Sequence, residues 1–350
     1  MAERCGVSTA TVARVLHNKG YVAAETRARV EAAIADTGYQ INAVAQGLRR
    51  HRTFTIGHIL DSIAPNLFFA EVALGVEQEA LSHGCSVLMY NVQGSVQRER
   101  LGVQTLIRRR VDAILFTTPV DESNVLLAMA AGIPVVQVER VTAVESHAVT
   151  VDNYVGSFRA VEHLVNLGHK RIAFIGQDPL LPGEETVALH RRVEEERLAG
   201  YLDALRTHAV PIDDDLIAMG SYYSLEDRKL ARDGYALMRA LLAVEPRPTA
   251  VFATCDLLAA GVLQALYERS LRVPADVSVV GFDDTYASYL TPPLTTVEQP
   301  MADIGKAAAR IVLQLLEHPD VDGTSPHTVR LSSQLVVRAS TGPAPQQAPD

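Results

Sequence analysis

The sequence contains no tryptophan, few aromatic residues and only three cysteines in 350 residues. Cys5, Cys85 and Cys255 lie far apart, so they match neither a disulfide framework nor the paired spacing of a zinc site. No apolar run reaches the length of a membrane span, and no charged leader followed by an apolar block marks a secretory signal. These absences favour a soluble cytoplasmic protein with no membrane partner and no bound metal.

The motifs of common enzyme classes are also missing. The sequence has no glycine-rich phosphate loop, no G-x-S-x-G elbow and no H-E-x-x-H pair. The acidic pair Asp283-Asp284 has no partnered histidine or nucleophile motif. We therefore expect no catalytic residue, no cofactor and no enzymatic activity.

Charge is distributed unevenly along the chain. The formal net charge is −9, but residues 1–52 hold eight basic and four acidic side chains, a balance of +4. The remainder must then carry −13, which is −9 minus +4. A small basic head on an acidic body is typical of a nucleic-acid-binding module joined to a domain with another role.

The head shows the pattern of a helix-turn-helix. Gly6 ends a first short helical pattern, and the hydroxyl of Ser8 can cap the helix that follows. Val12, Val15 and Leu16 share one face of that helix. The opposite face carries Thr9, Ala10, Ala13 and Arg14. Such a helix suits entry into a DNA major groove, although this segment alone also fits an ordinary amphipathic surface helix.

Two further segments complete the head. A third helix is predicted over 25–37, with Gly38 just past its end. The sequence predicts a weak helical segment at residues 42–50, which contains Gly47 and leads into the basic cluster 49–52. We interpret it as a linker that orders on DNA, with a plain flexible linker as the alternative.

From Thr55 onward, strands and helices alternate in two units of similar size. We predict strands at 56–60, 86–91, 113–118, 135–138, 171–176, 216–219, 250–253, 277–281 and 334–338. We predict helices at 69–83, 98–109, 122–131, 154–167, 192–205, 230–243, 256–269 and 301–317. Near-continuous apolar strands alternating with helices indicate parallel sheets covered on both faces. A ligand is expected between the two units, at the carboxyl ends of the strands.

This order of elements resembles the LacI/GalR family of bacterial transcription regulators, from Met1 to about Thr341. The motifs that carry the resemblance are AERCGVSTATVARVL (2–16), Tyr21-Val22, Thr26-Arg27, Gly38-Tyr39, Asn42-Ala43, LGHKRIAFIG (167–176), RLAGY (197–201), VGFDD (280–284), PLTTV (293–297) and Gln299-Pro300. The resemblance implies an all-α helix-turn-helix head and a core of two α/β lobes similar to the periplasmic binding proteins.

The same resemblance implies the domain limits and the DNA contacts. The head would span 1–41, the hinge helix and linker 42–53 and the core 54–341. Within the core, the N-lobe would cover about 54–152 and 301–329, and the C-lobe about 153–297 and 330–341. A disordered tail at 342–350, without leucine heptads, would follow. The implied DNA contacts are Ser8, Thr9, Ala10, Thr11, Arg14, Asn18, Tyr39, Asn42, Ala45 and Leu48. Thr9, Ala10 and Arg14 would read bases, and Leu48 would insert into the minor groove of a near-palindromic operator bound by a homodimer.

An effector site is implied between the lobes. Its residues would be Asp61, Phe68, Phe69, Glu139, Arg197, Cys255, Asp283 and Gln299. Carboxylates that accept hydroxyl protons, an arginine fork and an aromatic cover favour a neutral polyol, such as a mono- or disaccharide, over an anion. Structural alternatives are an Arg197–Asp283 ion pair, a core role for one phenylalanine, and a turn role for Glu139. Cys255 stands where many relatives have asparagine, which weakens the case for a polar contact there.

We therefore predict an effector-responsive transcription regulator, usually a repressor in this family. A solute-binding protein of the same fold disagrees with the missing signal peptide and the basic head. In the family the head begins further upstream, and Met1 stands where relatives usually have valine. We accordingly interpret the head as truncated at its N-terminus. A sugar-binding sensor with weak or lost DNA binding is therefore the alternative function.

Overall fold

A computed structural model describes the chain at residues 1–16, 18, 20–37, 52–64, 66–178, 191–221, 230–318 and 325–345. The chain divides into two units, Met1–Thr53 and Phe54–Asp350. Residues 42–51 of the predicted hinge segment and the predicted DNA contacts Tyr39, Asn42, Ala45 and Leu48 lie outside the described residues.

The first unit is built from three helices around a small apolar core. They are α1 (Ala2–Cys5), α2 (Thr9–Leu16) and α3 (Ala24–Thr37). Cys5, Val12, Val15 and Val30 are buried together where these helices meet. The hydroxyl of Ser8 accepts a hydrogen bond of 3.1 Å from the backbone N–H of Thr11, which confirms the predicted helix cap.

The second unit begins with a lobe built on a six-stranded, wholly parallel sheet. Its strands are β1 (Thr55–Leu60), β2 (Ser86–Asn91), β3 (Ala113–Thr117), β4 (Val135–Val138), β5 (His147–Val151) and β11 (Thr328–Leu331). Its helices are α4 (Leu67–Ser82), α5 (Val96–Arg108), α6 (Glu122–Ala130) and α11 (Met301–Glu317). Helices α4 and α11 pack on one face of the sheet, and α5 and α6 pack on the other.

The second lobe has a sheet of the same size and a similar plan. Its strands are β6 (Ile172–Asp178), β7 (Ile217–Ser221), β8 (Ala250–Ala253), β9 (Ser278–Asp283), β10 (Thr295–Glu298) and β12 (Gln334–Val336). Its helices are α7 (Asn153–Asn166), α8 (Arg191–Thr207), α9 (Leu230–Leu241) and α10 (Asp256–Glu268). Only the β10–β12 pairing is antiparallel among the described strands of this sheet.

The two sheets repeat one strand order. The first runs β2-β1-β3-β4-β5-β11 and the second runs β7-β6-β8-β9-β10-β12. In such sheets the order of the strands reverses beside the first strand, and ligands bind outside the carboxyl ends of the strands near that point. The chain crosses between the lobes three times, after β5, after β10 and after β11. These crossings join the lobes around one cleft.

Helix pairs on both lobes approach closely at glycine. A Cβ atom on Gly305 of α11 would lie 2.1 Å from the carbonyl oxygen of Val72 on α4. A Cβ atom on Gly234 of α9 would lie 2.1 Å from the carbonyl oxygen of Leu258 on α10. No real side chain fits at that distance, so glycine allows the two helix backbones to touch.

The structure confirms the predicted α/β class and corrects the prediction in two places. The sequence pattern does not predict the short strands β5, β10 and β11. The prediction of disorder from residue 342 is wrong for the first residues of that segment. The backbone carbonyl of Gly342 accepts a hydrogen bond from Ser278, and the N–H of Ala344 donates one of 2.9 Å to Leu167. Among the described residues, no helix is both long and apolar enough to cross a membrane.

Candidate functional site

Arg197 lies at the centre of the cleft between the lobes. It projects from α8, and only 6% of its surface is exposed. Its Nε–H donates a hydrogen bond of 2.9 Å to Oδ1 of Asn153, and Nη1 donates one of 2.7 Å to the carbonyl of Thr254. Its guanidinium carbon lies 4.0 Å from the centre of the Phe282 ring, which is a cation–π contact. The guanidinium is therefore held in place before any ligand binds.

Two carboxylates, one from each lobe, face this guanidinium. Glu139 follows β4 in the first lobe and Asp283 ends β9 in the second, and each has an oxygen 3.9 Å from Nη2 of Arg197. These distances give electrostatic attraction without a hydrogen bond. Both residues have a left-handed backbone, with φ of 65° at Glu139 and 109° at Asp283. Strained backbone of this kind is often found at binding sites.

The cleft perturbs the ionisation of these groups. Burial raises the pKa of Glu139, and burial raises the pKa of Asp283 to about 8, with Arg197 opposing both shifts. Burial alone would lower the pKa of Arg197, but the carboxylates around it, Asp283 first, raise the pKa above its ordinary value. Perturbed carboxyl groups around a buried arginine are typical of a functional site.

Asn153 joins the two lobes within this cluster. It is the first residue of α7, and its side chain is buried. Its Nδ2 donates a hydrogen bond of 3.2 Å to Oε1 of Glu139, while its Oδ1 accepts one from Arg197. Sequence reasoning missed this residue. Its position at the start of a helix, directly after Asp152 at the end of a strand, is the signal that could have indicated it.

Two other charged residues of the cluster were not predicted. Glu194 lies one helical turn before Arg197, is buried, and accepts a hydrogen bond from the backbone N–H of Gln177. Arg140 follows Glu139, is 2% exposed and interacts electrostatically with both Glu139 and Glu194. Adjacent charges in a helix or at a strand end look like ordinary surface residues in the sequence, and only the fold shows that they are buried.

The remaining predicted effector residues divide into two groups. Gln299 is in the cluster, since its Nε2 donates a hydrogen bond of 2.6 Å to Oδ1 of Asp283. Cys255 is buried beside it, and its Sγ caps α10 by accepting from the N–H of Leu258 at 3.5 Å. Asp61 is buried after β1, where its carboxylate accepts from the N–H of Gly94. Phe68 and Phe69 both pack into the core of the first lobe, with their rings 5.4 Å apart.

The predicted base-reading side chains lie on the exposed face of α2. Thr9, Ala10 and Arg14 are exposed, whereas Val12 and Val15 on the opposite face are buried. Of the other predicted contacts, Ser8 and Asn18 are exposed and Thr11 is half-buried. Asn18 has φ of 49° in the turn that follows the helix. The first unit thus presents a short helix with small side chains and an exposed arginine, a shape that suits a major groove.

The chain has a three-helix head with an exposed recognition helix. It also has a two-lobed core with a buried polar cluster between the lobes. Together these features define a ligand-responsive DNA-binding regulator. Comparison with known proteins supports this class. Residues 1–42 match the family model of bacterial regulatory proteins of the lacI family. Residues 161–341 match the model of the periplasmic binding protein-like domain.

Characterised relatives and solved structures agree. The chain is 31% identical to the transcriptional repressor PurR of Mannheimia succiniciproducens over 97% of both chains. It is 32% identical to the ribose operon repressor of Escherichia coli K12 over 91% of this chain and 92% of that protein. It aligns with the lac repressor dimer bound to operator and the anti-inducer ONPF, with a TM-score of 0.79, 29% identity and 97% coverage of both chains. The CelR–cellobiose complex aligns with a TM-score of 0.70, 30% identity and coverage of 97% and 98%.

The chain belongs to the LacI family of bacterial regulatory proteins. It is a DNA-binding transcription regulator with an effector-binding core, as its sequence predicts.

Proposed function

We propose that this protein is a repressor that binds a near-palindromic operator as a homodimer and responds to a sugar bound between its lobes. The observation that supports the proposal most directly is the Arg197 cluster. Glu139 of one lobe and Asp283 of the other lie at equal distance, 3.9 Å, from one guanidinium nitrogen. A ligand at this point contacts both lobes, so it can change their relative position.

The chemistry of the cluster favours a polyhydroxylated ligand of the mono- or disaccharide class. Carboxylates accept hydrogen bonds from hydroxyl groups, and a guanidinium donates to hydroxyl and ring oxygens. The solved relatives with bound ligands point the same way. One holds cellobiose, and a regulator from Enterococcus faecium that is 26% identical to this chain holds ribose. The effector residues of this proposal are Asp61, Phe68, Phe69, Glu139, Arg197, Cys255, Asp283 and Gln299.

The exposed face of α2 supports the DNA-binding half of the proposal. An arginine at position 14 can pair with guanine through two hydrogen bonds, and the methyl groups of Thr9 and Ala10 can contact thymine. One head covers only half of an operator, so two copies of the chain are required to read a near-palindromic site. We assign the protein to the cytoplasm, where such DNA is accessible, and assign it no catalytic step.

A gel-shift experiment tests the proposal. The full chain is mixed with DNA from upstream of its own and neighbouring genes, with and without each member of a sugar panel. We expect one specific complex whose affinity changes at least tenfold with one sugar. Absence of any specific complex under every condition would overturn the repressor assignment.

Two arginines of the same helix provide the matched variants. Arg197→Ala should abolish the response to sugar and leave DNA binding intact. Arg206→Ala should behave like the wild type, because Arg206 is exposed and pairs only with Asp203 among the described residues. An unchanged response in Arg197→Ala would remove Arg197 from the binding site.

A further inference from the structure

Glu194 places a third carboxylate beside Arg197. It is 4% exposed and lies on α8 three residues before the arginine. It also interacts with Arg140, the same guanidinium that interacts with Glu139. Glu139 and Glu194 therefore approach the same two guanidinium groups, one carboxylate from each lobe. This arrangement makes Glu194 part of the cleft.

Three of the buried polar atoms without a hydrogen-bond partner in this cluster are acceptors. Oε2 of Glu139, Oε2 of Glu194 and Oε1 of Gln299 have no hydrogen-bond partner among the described residues. A buried acceptor without a partner costs about 1–3 kcal/mol, and more when it is charged. Three such atoms in one cleft indicate a ligand that donates hydrogen bonds to them.

The charges of the cluster are also unbalanced. Its described carboxylates are Glu139, Glu194 and Asp283, and its described guanidinium groups are Arg140 and Arg197. Full ionisation therefore leaves one negative charge in excess. Burial raises the pKa of all three carboxyl groups, that of Asp283 to about 8, with Arg197 opposing each shift, and a bound cation would favour their ionised forms further.

We propose that the effector carries a protonated amino group, as an amino sugar does, and that Glu194 and Glu139 bind this ammonium. This inference rests on the proposed function, because it specifies the ligand of the same cleft. An ammonium supplies three donors, no acceptor and one positive charge, which matches both the acceptor atoms without partners and the excess charge. A hydroxyl group at the same place supplies one donor and no charge.

Calorimetric titration of the full chain with matched sugar pairs tests the inference. The pairs are D-glucosamine with D-glucose, D-galactosamine with D-galactose, and D-mannosamine with D-mannose, so each pair differs only by an ammonium in place of a hydroxyl. We expect one amino sugar to bind at least tenfold more tightly than its neutral partner. For Glu194→Gln, which keeps the shape and removes the charge, this preference should fall at least tenfold.

A neighbouring residue serves as the control. Glu195→Gln removes one carboxylate from an exposed position on the same helix and should leave the preference unchanged. The wild-type comparison does not depend on the folding of any variant. Equal or tighter binding of the neutral member of the best-bound pair would overturn the inference and leave the proposed sugar response standing. Binding of no member of any pair would also overturn the inference, and the gel-shift experiment with the wider sugar panel would test the proposed sugar response separately.

Discussion

Asn153 of the second lobe donates a hydrogen bond of 3.2 Å from Nδ2 to Oε1 of Glu139 in the first lobe. The same asparagine accepts the Nε–H of Arg197 at 2.9 Å. One neutral side chain therefore connects the two lobes and fixes the arginine at the centre of the buried polar cluster. A ligand that displaces or strengthens these bonds would change how the lobes are held together.

Replacing Asn153 with leucine should destabilise the core. Both hydrogen bonds are to charged groups in a buried site, and leucine leaves those charged groups without them. We expect a loss of about 2–4 kcal/mol in the free energy of unfolding, measured by urea denaturation. Asn166→Leu, at the exposed end of the same helix, should change it by less than about 0.5 kcal/mol. Equal effects of the two substitutions would contradict a role for Asn153 between the lobes.

Much of this fold could be predicted because its strands and helices differ in period and apolar content. The pattern predicts strands such as β2, β4 and β8 at their observed limits. It fails for β10, whose Thr295 and Thr296 are fully buried and hydrogen-bonded to side chains that come from elsewhere in the fold. A buried threonine in a strand cannot be distinguished in sequence from a threonine in a polar loop.

The candidate site also contains some residues that the sequence predicts and others that it does not. The resemblance to a family supplies Arg197 and Asp283, because their motifs match residue by residue. It does not supply Asn153 or Glu194, whose roles depend on which groups the fold buries beside them. Glu194 is the first of three consecutive glutamates on a helix, and such a pattern normally indicates a solvated face. Only the packing of α8 against the strand ends shows that one of the three is inside the cleft.

His58 makes the first lobe sensitive to acid. It is fully buried in β1, its Nε2 lies 2.8 Å from Oγ1 of Thr117, and burial lowers its pKa to about 4. The folded state therefore binds fewer protons than the unfolded state between pH 4 and 6.5. Stability should fall by about 3 kcal/mol as the pH drops through this window.

The His58→Gln variant tests this contribution. Glutamine keeps a polar group near Thr117 and does not titrate, so this part of the pH dependence should disappear from urea unfolding measured between pH 4 and 7. His83→Gln removes an exposed histidine from the same lobe and should leave the curve unchanged. A His58→Gln curve parallel to that of the wild type would show that His58 is not neutral in the fold.

Glu99 should produce the opposite slope. It lies buried on α5, and its carboxylate accepts the backbone N–H groups of Val120 and Asp121 at 2.7 and 2.9 Å. Burial raises its pKa to about 7 in spite of these bonds. The folded state then binds more protons than the unfolded state between about pH 4.5 and 7. Its contribution to stability should fall by about 3 kcal/mol as the pH rises through that window, and should be constant above it.

The Glu99→Gln variant removes this titration. As the pH rises from 4.5 to 7, the free energy of unfolding of the wild type should fall relative to that of Glu99→Gln. Glu145→Gln, at an exposed position of the same lobe, should show no such trend. A difference that stays constant with pH would contradict the raised pKa of Glu99.

Substitutions of Arg14 distinguish sequence-specific binding from the general electrostatic attraction of the protein to DNA. Its side chain is exposed on α2, on the face opposite the buried Val12 and Val15. If Arg14 pairs with guanine, Arg14→Ala should weaken binding to the specific operator by about 1–3 kcal/mol, which is about 5- to 150-fold. Arg14→Lys keeps the charge and loses the two-pronged geometry, so it should lose most of the specific binding and keep the binding to random DNA.

Fluorescence anisotropy with operator and random duplexes at several salt concentrations measures both the specific and the nonspecific affinity for DNA. The slope of affinity against salt should be nearly the same for the wild type and Arg14→Lys, because the number of phosphate contacts does not change. Arg108→Ala removes an exposed arginine from the first lobe and serves as the control for the loss of one positive charge. If Arg14→Ala weakens binding to operator and random DNA equally, Arg14 contacts phosphate rather than a base. Thr9 and Ala10 would then be the remaining predicted base contacts on this helix.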